Sequence, residues 1–405
     1  MKNRIFHTAI CASTKLPDFG KGKGINMIYR DYQDMKLSGL GLGMMRLPVV
    51  DGNDAVVDEK AAEDMIAYAM EQGINYYDTA WGYHNGASEL TAGKLLSKYP
   101  REQYYLASKF PGYDNSNMPK VKEIFEEQLK KCQTPYFDFY LFHNVYEGNI
   151  DDYLNPEYGI LEYLLEQKKN GRIKHLGFSC HGAIDVLKRF LDAYGEHMEF
   201  CQLQLNYMDW HFQKCEQKAA LCKERNIPVW VMEPLRGGKL CNLSEDMVSE
   251  LHTMRPEEDV PAWAFRFLQA IPGVIMVLSG MSNMDQLKAN IATWTEDKPL
   301  SPAEFDKLVA LMDEETKKGG LPCTACHYCT SHCPKKLPIP ELIALYNEHM
   351  STKGGMSFLA PMAVGSMAAE QRPANCIGCR SCEQVCPQQI KISEAMKSFS
   401  GMIGM

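Results

Sequence analysis

Residues 59–79, EKAAEDMIAYAMEQGINYYDT, hold two patterns in succession. In residues 59–72 apolar side chains recur three or four positions apart, the period of a helix with one buried stripe. Residues 74–79 then form a short apolar run after Gly73, as a strand covered on both faces requires. The alternation repeats on either side. Apolar runs lie at 40–45, 74–79, 105–110, 137–143, 173–179, 200–205, 228–232 and 274–279, with helical patterns such as 120–132, 156–170 and 283–294 between them. Eight strand–helix units predict an α/β fold with a parallel sheet, best closed as a (β/α)8 TIM barrel, with an open doubly wound sheet as the alternative.

The chain has 405 residues, more than a barrel of about 250 needs, so a small second module is expected. Residues 1–26 read as a flexible leader, with Met27 as a second candidate start, and 27–300 as the barrel. Residues 301–320 read as a linking helix, with Ser301 as N-cap, Pro302 at its first position and Gly319-Gly320 at its end. Residues 321–397 form a cysteine-rich, mainly helical module with a helix at 339–350 and a loop at 351–355, and 398–405 is a tail without readable pattern. A net charge of −8 with no long basic run argues against nucleic-acid or membrane-surface partners. No apolar run approaches the roughly 20 residues of a membrane span. Lys2 and Arg4 precede an apolar stretch, but His7 and Thr8 interrupt it and no cleavage site follows, so it is a poor signal peptide. A cytoplasmic protein is predicted.

Eight of the 15 cysteines stand in two identical runs. Cys323, Cys326, Cys329, Cys333 and Pro334, then Cys376, Cys379, Cys382, Cys386 and Pro387, each spell C-x2-C-x2-C-x3-C-P. This is the ligand pattern of bacterial two-cluster ferredoxins, in which three close thiolates hold one [4Fe-4S] cubane and the fourth crosses to the other. The predicted sets are Cys323, Cys326 and Cys329 with Cys386, and Cys376, Cys379 and Cys382 with Cys333. A four-thiolate zinc site would leave the third and fourth cysteines of each run unexplained. Disulfides suit a secreted chain, which this does not resemble. The scattered remainder, Cys11, Cys132, Cys180, Cys201, Cys215, Cys222 and Cys241, reads as reduced thiols. His327 and His332 lie among the ligands and read as surface or supporting residues.

Barrel chemistry gathers at the C-terminal ends of the strands. Asp78 ends the second apolar run, with Tyr83 in the loop after it; Lys109 ends the third and His143 the fourth. Taken singly these are as well explained as a cap, a rim aromatic, a solvated charge and a core histidine. Together they suit proton donation to a substrate oxygen. Lys109 would lower the pKa of the Tyr83 phenol, Asp78 would balance Lys109, and His143 would orient a carbonyl that Tyr83 protonates. Trp81, Tyr113 and Trp210 are further candidates to line the pocket.

The Asp78-Thr-Ala-Trp-Gly-Tyr83, Ser108-Lys109 and Leu141-Phe-His143 segments resemble the catalytic tetrad of the aldo-keto reductases, and the resemblance runs roughly over residues 27–294. Barrel and cysteine module together resemble a bacterial branch of that family fused to a ferredoxin-like domain. The resemblance implies a nicotinamide cofactor across the barrel mouth. Ser179 and Gln202 would meet its carboxamide, Pro234 and Leu235 with the following glycines its pyrophosphate, and Asn290 its adenine end. Departures are Cys180 where many members carry Asn, Met232 where a tyrosine usually stacks on the nicotinamide, and Gly280 and Gln286 where the family places cations for a 2′-phosphate. They point to NADH rather than NADPH, or to weak dinucleotide binding.

The expected activity is reduction of a small-molecule carbonyl, or oxidation of an alcohol, coupled to electron transfer through two [4Fe-4S] clusters and open to a redox protein partner. The alternative is an electron-transfer or redox-sensing subunit whose barrel binds nucleotide without turnover.

Overall fold

All eight apolar runs become strands of one closed barrel in the computed structural model, which describes residues 27–317, 320–351 and 359–405. The leader at 1–26 and most of the loop read at 351–355 lie outside the described residues. The strands are β3 (Leu40–Gly43), β4 (Tyr76–Asp78), β5 (Tyr105–Phe110), β6 (Phe137–Val145), β7 (Ile173–Cys180), β8 (Cys201–Gln204), β9 (Val229–Met232) and β10 (Val274–Gly280). Each pairs in parallel with its neighbours, and β10 closes on β3. The crossovers are helical, which is what parallel pairing demands. Glu59–Glu71 begins where Asp58 accepts the Ala61 N–H at 3.0 Å, and Met284–Thr293 where Asn283 accepts the Gln286 N–H at 2.9 Å. The helical pattern at 156–170 is broken at Gly159, whose φ of 59° admits the kink, leaving a helix over Ile160–Lys169.

Register sets where the mouth lies. Asp78 pairs with Ala107 and Lys109 with Leu141, so each strand carries its polar residue two positions further along than its predecessor. Asp78, Lys109 and His143 thereby descend into one opening. The opposite end is plugged by a hairpin that the sequence reading did not anticipate, β1 (Tyr29–Tyr32) and β2 (Met35–Ser38). Its short strands mix charged and apolar residues, so neither carries a clear strand pattern alone. Tyr32 meets Trp230 edge-on at 4.9 Å, and with Leu37 it seals a barrel lumen filled by Tyr76, Phe139, Phe200 and Met276.

The helix Pro302–Lys317 opens with Ser301 and Glu304 bonded reciprocally, the Ser301 hydroxyl donating to Glu304 at 2.8 Å. It is more than a connector: Phe305 stacks on Phe267 at 4.4 Å, and Leu308, Val309 and Met312 are buried in the barrel's outer core. Beyond it, Ile339–Ser351, Leu359–Ser366 and Ile392–Met402 pack around a separate small core that includes Leu342, Ile343, Val364 and Met396. Residues 398–405 are therefore not a plain tail. Ile392, Met396 and Phe399, four and three residues apart, bury one face and carry the helix to Met402. Among the described residues no helix is long and apolar enough to cross a membrane.

The small module is seated on the barrel mouth by polar contacts. Arg46 donates to the Thr324 carbonyl at 2.7 Å, and Gln388 enters a buried network with Gln204, Asp209 and Arg236. At Gly237, φ 65°, an added Cβ would stand 2.5 Å from the Thr324 oxygen. Gly237→Ala is expected to lower the thermal midpoint and the iron retained per chain, with about 1 to 3 kcal/mol lost to backbone strain alone. Gly238→Ala, at φ 90° with nothing within 4 Å, carries that strain without the collision and should keep its iron. Calorimetry and iron content on anaerobic preparations check both.

Candidate active site

Lys109 has no exposed side-chain surface, and a buried ammonium needs its donors satisfied. It donates to Asp78 Oδ1 at 2.5 Å and to the Thr79 carbonyl at 2.7 Å, and its Nζ lies 3.4 Å from the Tyr83 hydroxyl. β5 is held from behind by buried Gln128, which donates to the Lys109 carbonyl at 2.9 Å. His143 is buried beside Tyr83, their rings edge-on at 5.9 Å, and Tyr113 meets its other side at 5.1 Å. The four predicted catalytic residues are thus brought together.

Their electrostatics differ from the expectation in one respect. Burial pushes the Asp78 carboxyl up and the Lys109 ammonium down, each against the pull of the other. Burial, reinforced by Tyr328 and Asp78, also pushes the Tyr83 phenol well above its ordinary value, instead of Lys109 drawing it down. Tyr83 is consequently a stable proton store at neutral pH. His143 is held well below the usual histidine range, chiefly by burial, and is neutral.

Asp78, Tyr83 and His143 border a cavity of about 500 Å³ at the barrel mouth. Gln202, Pro234, Leu235, Gln286 and Asn290 line it, as does Met232. Ser179 does not. Its hydroxyl accepts the Asn144 N–H at 2.7 Å and fixes the irregular end of β6, where Asn144 has φ 56°. Besides Asp78 Oδ2 and His143 Nδ1, two more buried atoms of its lining residues lack partners, the acceptor Gln202 Oε1 and the ring nitrogen His181 Nδ1, which can donate; an acceptor beside a donor suits a primary carboxamide. The lining also includes Ser282, Asp285 and Gln286. Arg46 is on the wall, but its guanidinium is committed to Thr324 and lies 3.8 Å from Glu233. Cys180 is buried and its thiol pushed up to about 12 by burial, so it is inert.

Trp210 is no pocket residue: it packs edge-on against Phe267 and Phe305 in the outer core. Trp81 sits at the rim beneath Lys131, 3.6 Å from its ring centre. His181, Arg46, Glu233 and Tyr328 line the cavity and were missed. Only His181, two residues beyond Ser179, had a signal in the sequence, as the next polar side chain at the end of β7.

The cysteines gather crosswise. Cys323, Cys326, Cys329 and Cys386 line one cavity; Cys333, Cys376, Cys379 and Cys382 line another. Among the described residues no three His, Cys, Asp or Glu side chains converge on a single metal ion. The first cavity shares Thr324, Cys326, Pro387 and Gln388 with the large one. In the second, Cys379 and the neighbouring Ile377 are exposed.

Residues 39–313 match the aldo/keto reductase family. The chain belongs to that family. Residues 322–391 match a 4Fe-4S dicluster domain. Relatives of this aldo/keto reductase include a probable aldo-keto reductase 1 of Glycine max, 29% identical over 51% of this chain and 58% of that protein. The NADH-specific methylglyoxal reductase of Escherichia coli is 24% identical over 64% of this chain and 90% of that one. An aldo-keto reductase from Bacillus halodurans, solved in its holo form, superposes with a TM-score of 0.58 at 28% identity, covering 71% of this chain and 96% of that one.

Within the reductase barrel the Lys109–Asp78 pair has a measurable consequence. Lys109→Met leaves Asp78 buried without its cation and is expected to cost about 3 to 5 kcal/mol in urea unfolding. Asp78→Asn in the same chain should restore a substantial part, since it removes the orphaned charge. Additive losses would show that the two side chains do not depend on each other.

Proposed function

We propose that this aldo/keto reductase reduces small carbonyl compounds with NADH at the Asp78, Tyr83, Lys109, His143 site, and that the two cysteine cages hold [4Fe-4S] clusters that exchange electrons with that site. The observation that carries the reading is the shared wall: Tyr83 and His143 face the same cavity as Gln202 and His181, and Cys326 closes it. Bound NADH would supply both electrons for carbonyl reduction as a hydride, and loaded clusters would carry electrons one at a time, two with one proton matching each hydride. The protein's part is to place and protonate. Gln202 and His181 hold the carboxamide, and the substrate oxygen lies between the Tyr83 hydroxyl and His143. Neutral His143 orients that oxygen without giving up a charge, and Tyr83 releases its phenolic proton to it as the carbonyl is reduced. Lys109 steadies the phenolate left behind, while Asp78 keeps Lys109 charged.

The second cysteine cage, with Cys379 and Ile377 at the surface, supports a redox protein as electron partner. Unpaired cysteines throughout the described residues suit the cytoplasm.

Tyr83→Phe should lower kcat for a panel of small aldehydes, methylglyoxal included, by about a thousandfold. NADH affinity should stay within twofold. In the wild type the active phenol is the protonated form. A pKa raised by burial therefore keeps kcat/KM level from neutral pH to beyond about pH 10, the range of a free phenol. No inflection is expected near about pH 6.5, because His143 does not charge there. Turnover surviving in Tyr83→Phe defeats the mechanism. Tight NADH binding with no turnover on any carbonyl transfers the reading to a nucleotide-binding electron carrier.

With Asp285 and Gln286 at the ribose end, kcat/KM should favour NADH over NADPH by about tenfold or more, and Gln286→Lys should narrow the gap. Steady-state rates with each cofactor decide it.

A further inference from the structure

Between Cys326 and Cys329 stands Tyr328, and its side chain leaves the cysteine cage for the reductase site. Its hydroxyl is 3.4 Å from His143 Nε2, and its ring centre is 5.7 Å from that of Tyr113. With Tyr83 and His143 it borders both the large cavity and a neighbouring groove between Trp81, Tyr113 and Lys336. Packing against Tyr113 would need only a phenyl ring. The oxygen is instead placed at His143 Nε2, while the other ring nitrogen, Nδ1, is buried.

The backbone explains how a cage residue reaches so far. Ala325 and His327, on either side of Cys326, have left-handed φ values of 52° and 62°, turning the chain so that Cys326 and Tyr328 both face the barrel. Arg46 and the close approach at Gly237 pin Thr324 just before this turn. Cys326 and Cys329, flanking Tyr328, line the same small cavity as Cys323 and Cys386. Tyr328 thus stands on the same short segment that carries two of the four sulfurs lining that cavity.

We propose that Tyr328 is a substrate-binding residue supplied by the cysteine module: its hydroxyl shares the carbonyl oxygen with Tyr83 and His143, and carbonyl binding is complete only when the first cage is loaded. The proposal rests on the reductase reading above. It adds a coupling between cluster and catalysis that requires no electron to move.

Tyr328→Phe removes the oxygen and keeps the ring. In anaerobic, iron-replete protein its visible absorbance, electron paramagnetic resonance and iron content should match the wild type, and the NADH dissociation constant should stay within twofold. The carbonyl KM should rise about tenfold with a smaller change in kcat, as expected for one lost hydrogen bond to substrate. Stripping iron with a chelator should raise the wild-type carbonyl KM by the same factor, reversibly on reconstitution, and leave that of Tyr328→Phe where it was. An unchanged KM in Tyr328→Phe with spectra intact, or in stripped wild type with its barrel still folded by circular dichroism, overturns the proposal. Wild type that binds NADH but turns over no carbonyl defeats the reductase reading instead, so the two failures are distinct. Carbonyl affinity in a Tyr83→Phe background, read from bound-NADH fluorescence, repeats the comparison without turnover: a tenfold loss on adding Tyr328→Phe supports the assignment, and none overturns it.

Discussion

Cys386 crosses from the second cysteine run to meet Cys323, Cys326 and Cys329 around one cavity, and that crossing governs how the module sits. Two runs separated by the helices Ile339–Ser351 and Leu359–Ser366 must reach the same place, so neither can move without the other. Pro387 and Gln388, next in sequence to Cys386, lie against the barrel. Gln388 donates to Gln204 at 2.9 Å and accepts from Arg236 at 3.0 Å; Arg236 in turn donates to both oxygens of Asp209, all within a fully buried network. Such a network costs heavily when a partner is missing, so it fixes one seating of the module and penalises the others.

The same economy runs through the barrel site. Lys109, Asp78 and His143 are all buried, and in a medium of low polarisability charges survive only in pairs. Lys109 with Asp78 satisfies that rule, and Tyr83 and His143 satisfy it by remaining neutral. The site is thus prepared before any substrate arrives, with a proton on Tyr83 and an uncharged imidazole beside it. The cost of removing charges from water has already been met in folding, which is why local strength need not come from a depressed tyrosine pKa.

The eight strands and both cysteine runs were readable because each depends on local pattern. Apolar runs such as residues 137–143 must be covered on both faces wherever they go, and thiolate spacing is dictated by the shape of a cubane. Asp78, Tyr83, Lys109 and His143 were readable because each follows a strand end, where topology alone brings side chains together. What was hidden depends on neighbours distant in sequence. The hairpin of β1 and β2 is stabilised by Trp230 and Phe139, far along the chain. Ser179 carries the right side chain for a carboxamide, yet its hydroxyl is taken by the backbone of Asn144. The sign of the Tyr83 shift turned on burial, which no spacing reveals.

Tyr328 shows why a two-module reading of the sequence was incomplete. A tyrosine inside a C-x2-C spacing carries no pattern of its own, and only the docked geometry turns it toward His143. The reach of the two cages also differs in kind. The second, with Cys379 exposed, opens to solvent, whereas the first opens onto the cavity that Tyr83 and His143 border. An arrangement running from surface to second cage to first cage to cavity suits stepwise electron movement, yet it also means that the first cage is part of the cavity wall. A loaded cage would stiffen that wall through Cys326, which lines both cavities. Catalytic competence and cage occupancy are in this way joined by packing before any electron is transferred.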